Sequence, residues 1–191
     1  RHRFLCLSRN LTMDRSWDTV LHMEESTSGH GADPAPVADF LLDLPSLTPA
    51  SLEPDRQGLV ESLAASLRGV RLEVPPPFRH AELWPLGTSS GRGWPFPTAA
   101  QRLVAVTPFL DAGFLSRMPR ATTWSRLVSR AETFDRLGGK AIPSTMSTWV
   151  LQRAAETDDP DEKAPDTHLE VTTGLHAKTF VWDAGGTGNT F

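Results

Sequence analysis

The sequence predicts an α/β layered fold, and two observations carry that prediction. Apolar residues make up 39% of the 191 positions, enough to bury a sizeable core. After residue 98, strand-like runs alternate with helix-like runs, the pattern of strands layered with helices. A Gly/Pro/Ser-rich stretch, "TSSGRGWPFP" at 88–97, is the best internal boundary and divides the chain into 1–97 and 98–191.

Taken in order, "RFLCL" (3–7) reads as a short buried strand, with Cys6 inside its packing. "TVLHM" (19–23) is apolar and β-branched and reads as a second strand pairing back. Residues 24–36 are a loop by composition. "PVADFLLDL" (36–44) has apolar residues at 37, 40, 41 and 44, and 55–67 repeats the spacing at 59, 60, 63 and 67, so both read as amphipathic helices. "VRLEV" (70–74) and "AELWPLG" (81–87) read as strands, the first stopped by three prolines. "QRLVAVTPFL" (101–110) is a strong buried strand closed at Pro108. Asp111 stands as the N-cap of a helix over 111–118. A strand at 122–129, a helix at 130–138 ended by Gly138 and Gly139, and a strand at 148–152 follow. After a charged loop at 156–166, "HAKTFVW" (176–182) is the last clear strand, and 183–189 a hairpin-like turn.

The net charge of −4 carries no global signature of a nucleic-acid binder. Any polyanion site must be local, with Arg68, Arg71, Arg79, Arg92 and Arg102 as scattered candidates. One cysteine excludes an internal disulfide framework and fits a reducing, cytoplasmic compartment. No run approaches the roughly eighteen apolar residues of a membrane span, and no signal-peptide pattern is present. No histidine–carboxylate cluster has zinc-ligand spacing. His22, His168, Trp17 and Trp84 read as packing or loop residues, and Trp94 as packing or the wall of a groove.

The chemistry concentrates near the end, in "GLHAKTFVWD" (174–183). In a strand, residues two apart share a face, so His176 and Lys178 project together with Ala177 turned away. Imidazole can serve as nucleophile, base or acid, and an ammonium beside it can hold a phosphate oxygen. The pattern extends to H-x-K-x4-D with Asp183. At the other end of the chain, "LSRNLT" (7–12) places Ser8 and Asn10 two apart, both able to donate hydrogen bonds.

Together these stretches resemble the phospholipase D superfamily, whose signature is H-x-K-x4-D followed, after a turn and a strand, by G-S-x-N. "LSRNLT" looks like the tail of a first copy, with Leu7 where the family usually has Gly, and "LHAKTFVWD" like the head of a second. "TPFLD" (107–111) resembles the first strand and turn of the second half, whereas 24–97 matches only in layout. That layout is similar in order to the tyrosyl-DNA phosphodiesterase branch. The branch usually lacks the motif Asp, so Asp183 makes uncharacterised bacterial phospholipase D-like proteins the closer likeness. Gly186, Thr187 and Asn189 come too soon after Asp183 to be the second G-S-x-N.

The resemblance implies a mixed sheet flanked by helices, in two pseudo-symmetric halves, with this sequence a piece of a longer chain. It implies a metal-independent phosphodiesterase that needs no cofactor. One histidine attacks phosphorus to give a phosphohistidine, and the other protonates the leaving oxygen and then activates water. His176 is then the acid/base, Lys178 and Asn10 phosphate ligands, Ser8 their support and Asp183 structural. The nucleophilic histidine is expected upstream of Arg1. His2 is no substitute, because Phe4 stands where Lys is needed. Nucleic acid is the expected substrate. The alternatives are a phospholipid and a non-catalytic binding module.

Overall fold

Leu103 and Ala105, opposite Trp182 and Phe180, give one covered face to a five-stranded sheet. The computed structural model describes residues 1–8, 16–151, 174–183 and 188–190. By contacts the chain divides into a unit of Arg1–Cys6 and Leu21–Pro95 and a unit of Leu7–Val20 and Phe96–Phe191. The main division falls inside the Gly/Pro/Ser-rich stretch, and Leu7–Val20 groups with the second unit. Asn10, the loop at 156–166, His168 and the turn residues 184–187 lie outside the described residues.

The elements before residue 96 are β1 (Arg3–Leu7), β2 (Ser16–Trp17), β3 (Val20–Glu24), α1 (Ala35–Asp43) and α2 (Pro54–Arg68), with a 3-10 turn at Leu44–Leu47. Strands β1 and β3 form a two-stranded sheet. The first unit's core gathers Met23, Ala32, Leu72 and Leu83, with Phe4, Leu21, Val37 and Ala81 packed against them. Helix α1 packs on α2, where Ala38 and Ala64 are fully buried, and Arg68 at the end of α2 pairs with Asp39.

Four expectations are corrected in this unit. Residues 70–74 form no strand; Leu72 makes only isolated bridges to Glu25 and Ala32. Residues 81–87 form none either, because Pro85 has no N–H to give a ladder. Cys6 is exposed rather than packed, since β1 has β3 as its one ladder partner among the described residues. In α2 the covered stripe is Val60, Ala64 and Leu67, while Leu59 is 70% exposed. A helix buries the stripe its neighbour covers, and apolar spacing alone allowed two.

The second unit continues with β4 (Ala99–Val106), α3 (Ala112–Arg117), β5 (Arg120–Ser129), α4 (Ala131–Leu137), β6 (Met146–Val150), β7 (Gly174–Leu175), β8 (Thr179–Asp183) and β9 (Gly188–Thr190). The sheet order is β6-β5-β4-β8-β9. Strands β4, β5 and β6 are parallel, joined through α3 and α4, whereas β8 runs antiparallel to β4 and β9 antiparallel to β8. The protein is therefore mixed α/β with a mixed sheet and helices. Asp111 caps α3 by accepting from the Phe114 N–H at 2.7 Å. Gly138 closes α4 at φ +69°, a backbone region glycine enters without a Cβ clash. Leu103, Ala105 and Leu127 are fully buried. Phe180 sits 5.1 Å from Phe96 and 5.5 Å from Phe114, ring centre to ring centre.

Candidate functional site

The strand order fixes where a site can form. From β4 the chain steps through β5 to β6 on one side and later returns as β8 on the other. The carboxyl end of β4 is thus a point where the connections diverge, the usual place for a ligand crevice in an open α/β sheet. Five residues follow β4 there: Thr107, Pro108, Phe109, Leu110 and Asp111. Arg130 follows β5, and His176–Lys178 lead into β8.

His176 and Lys178 precede the strand instead of lying in it, since β8 begins at Thr179. The ladder with β4 ends at the pair Val106–Thr179. The next N–H on β4, that of Thr107, goes to the Val128 carbonyl, and Pro108 has none. The antiparallel register still governs what meets. Continued past Val106–Thr179 it sets Lys178 opposite Thr107 and His176 opposite Phe109. The His176 ring packs edge-on to the Phe109 ring, with centres 5.6 Å apart. The Lys178 ammonium lies 5.7 Å from the same ring centre and the Arg130 guanidinium 5.8 Å. Phe109 itself is 49% exposed.

Ser8 reaches this place from 170 positions away in sequence. Its carbonyl accepts a hydrogen bond from the Lys178 ammonium at 2.5 Å. Its hydroxyl donates to Asp18 Oδ1 at 3.0 Å and accepts from the Thr19 N–H at 3.0 Å. Two short pairings hold the segment in position: Ser8 N–H to the Thr19 carbonyl at 3.0 Å, and β2 running parallel to β7 with Ser16 opposite Gly174 and Trp17 opposite Leu175. The hydroxyl proton of Ser8 is committed to Asp18, so Ser8 positions the ammonium through its main chain.

Asp183 stands at the far end of β8, five residues from Lys178, roughly 16 Å along a strand. Its carboxylate accepts from the Arg102 N–H at 2.9 Å and from Arg102 Nε at 2.7 Å, and Arg102 Nη2 also reaches it. Its work is to tie β8 to β4. The hydrogen bond from the Arg102 side chain, with the Arg102 backbone N–H and charge adding to it, holds the Asp183 carboxyl below its ordinary range; burial opposes this and is outweighed. A folded-state pKa below the unfolded one stabilises the fold above the unfolded value of 3.8, and that share is lost as pH falls through the folded value. Asp183→Asn is therefore expected to melt at a lower temperature than the native chain at pH 7, with the gap closing below about pH 4. Thermal melts from pH 2 to pH 7 check this. A gap that stays constant across the range would remove the ion pair from the account.

Four of the five scattered arginines are paired with carboxylates. Arg68 pairs with Asp39, Arg71 with Asp33 at 3.0 Å, Arg92 with Glu82 at 2.8 Å and Arg102 with Asp183. A second histidine cluster has the outline of a nucleophile–base pair: His2 Nδ1 is 2.9 Å from Glu25 Oε2, and Nε2 is 3.1 Å from Ser66 Oγ. Ser66, however, gives its one hydroxyl proton to the Leu63 carbonyl at 2.8 Å within α2. The cluster is a tie between the chain start and α2, since no proton remains for His2 to take. Trp84 donates to the Gly93 carbonyl at 2.8 Å and stacks under Arg92, a packing role.

Phe109 and Arg130 escaped the sequence reading as site residues. The signal was available in kind: Arg130 directly follows β5 and Phe109 lies in the loop after β4, and the carboxyl ends of such strands are where ligand-binding loops lie. Among the described residues no group of three or more His, Cys, Asp or Glu side chains could hold a metal ion, and no helix is long and apolar enough to cross a membrane. No family model, no curated protein and no solved structure matches this chain.

Proposed function

We propose that the protein is a metal-independent phosphodiesterase of the phospholipase D type, acting on nucleic acid through a phosphohistidine intermediate. The observation that carries the reading is the hydrogen bond from Lys178 to Ser8, which joins the two half-motifs, with His176 against the same aromatic ring. In this reading 98–191 belongs to the second of two pseudo-symmetric halves and 1–97, with Ser8 and Asn10, to the first. The nucleophilic imidazole is supplied by the first half. Its nitrogen forms a bond to phosphorus as the bond to the leaving oxygen breaks, and His176 gives that oxygen its proton. His176 then takes a proton from water, whose oxygen attacks phosphorus and breaks the P–N bond. Lys178, with Asn10, stabilises the charge that builds on the non-bridging oxygens.

The test is hydrolysis of a short oligonucleotide by the intact protein in EDTA. Activity is expected to persist, with its optimum at neutral or mildly acidic pH, because one histidine must be neutral while the other is protonated. Complete loss in EDTA with recovery on adding magnesium or zinc would overturn the mechanism. Phospholipid hydrolysis without oligonucleotide hydrolysis would reassign the substrate. Binding without hydrolysis of either would leave a non-catalytic module.

A further inference from the structure

We infer that Phe109 and Arg130 make the site selective for single-stranded nucleic acid, Phe109 by stacking on a base and Arg130 by holding the phosphate next to the one at Lys178. The inference rests on the proposed reaction for the role of Lys178 and adds the substrate's form. An aromatic side chain half exposed to water forgoes the gain from burial, and here the backbone beneath it is fixed in that position. Two nearly buried hydroxyls clamp the turn: Thr107 Oγ1 donates to the Phe109 carbonyl at 3.2 Å, and Thr133 Oγ1 donates to the Pro108 carbonyl. Pro108 adds a fixed φ. The ring is thus presented by a rigid support at the carboxyl end of β4.

What surrounds the ring is cationic or basic. His176, Lys178 and Arg130 lie between 5.6 and 5.8 Å from its centre, the first two on the segment before β8 and the third just after β5. Lys178 and Arg130 lie over the ring at the outer part of cation–π range, and the ring is still half exposed. A ligand that brings anions near the two cations and a flat π-face to the ring matches the chemistry gathered here. Single-stranded nucleic acid has that alternation, and base-on-aromatic stacking beside a basic track is how such strands are held. A duplex hides its π-faces, and a phospholipid offers a phosphate with no ring. The planar guanidinium of Arg130 further suits a phosphate through two parallel hydrogen bonds.

The experiment measures equilibrium binding of a labelled oligothymidylate, and of its abasic counterpart of equal length, to the intact protein. His176→Asn is present throughout to prevent turnover. Phe109→Ala is expected to weaken the base-bearing strand on the order of 10- to 100-fold and leave the abasic strand unchanged. Phe109→Trp should retain the preference, which separates stacking from a general disturbance of the turn. Arg130→Gln should weaken both strands and lower the slope of log affinity against log salt by about 0.7. Equal loss for both strands in Phe109→Ala would overturn the stacking role, and an unchanged salt slope in Arg130→Gln the phosphate role. Anionic phospholipid vesicles competing as well as the strand would overturn the choice of nucleic acid. A base preference with no hydrolysis when His176 is restored defeats the proposed reaction and leaves this inference standing; hydrolysis indifferent to Phe109 does the reverse.

Discussion

Replacing His176 by alanine is expected to reduce oligonucleotide hydrolysis by the intact protein on the order of 10²- to 10⁴-fold, the range for removing a positioned general acid–base group. The sugar oxygen leaves poorly unless it receives a proton as its bond to phosphorus breaks. The His176 imidazole packs edge-on to the Phe109 ring, over which the Lys178 ammonium also lies. The size of the defect should therefore depend on the leaving group. With p-nitrophenolate, which needs little protonation, the first step should recover most of its rate. The second step, in which water must lose a proton, should remain slow. Phosphohistidine on the partner imidazole should then accumulate, visible as a burst of nitrophenolate followed by a slow phase. Alanine also removes the ring that packs on Phe109, so His176→Asn is the better control for shape. Native rates in both variants would show that the chemistry lies elsewhere.

The elements that could be read from sequence are those whose pattern is local. The apolar strand run that begins at 101 and is closed at Pro108, the cap at Asp111 and the stop at Gly138 each depend on a few neighbouring residues. What could not be read depends on partners. Residues 70–74 alternate like a strand, yet Leu72 meets only Glu25 and Ala32 through isolated bridges. Cys6 belongs to an apolar strand, yet that strand has one ladder partner among the described residues. Both faces of α2 offered apolar residues, and packing on α1 selected the one centred on Ala64.

The site divides in the same way. His176, Lys178 and Ser8 were visible because each belongs to a short spacing pattern. Phe109 and Arg130 belong to none. They meet because β4 and β5 are parallel neighbours, so that the residues following them emerge at one edge, and because β8 returns beside β4. Even for the residues that were read, sequence offered identity without function in detail. Ser8 looked like a donor, whereas its proton is held by Asp18 and its carbonyl serves Lys178.

That division of labour shapes the expectation for Lys178. Lys178→Gln is expected to lower kcat/KM for a phosphodiester on the order of 10²- to 10³-fold, as for the loss of one preorganised donor at a site of developing charge. The charge stands where it does because the Ser8 carbonyl accepts from it and because β8, paired with β4, fixes the backbone that directly follows it. Glutamine can still donate to that carbonyl, so the variant removes the positive charge while leaving the tether available. The loss should therefore fall on kcat more than on KM, since the phosphoryl oxygens carry more negative charge in the transition state than in the bound substrate. Ser8→Ala gives the contrast. It keeps the carbonyl and removes the bonds to Asp18 and Thr19, so it should weaken activity far less than Lys178→Gln and by a route that lowers thermal stability as well. Steady-state kinetics on the two variants, with melting curves for each, separate these outcomes. If Lys178→Gln raised KM alone and left kcat at the native value, the ammonium would be binding the ground state only, and the catalytic role assigned to it would fall.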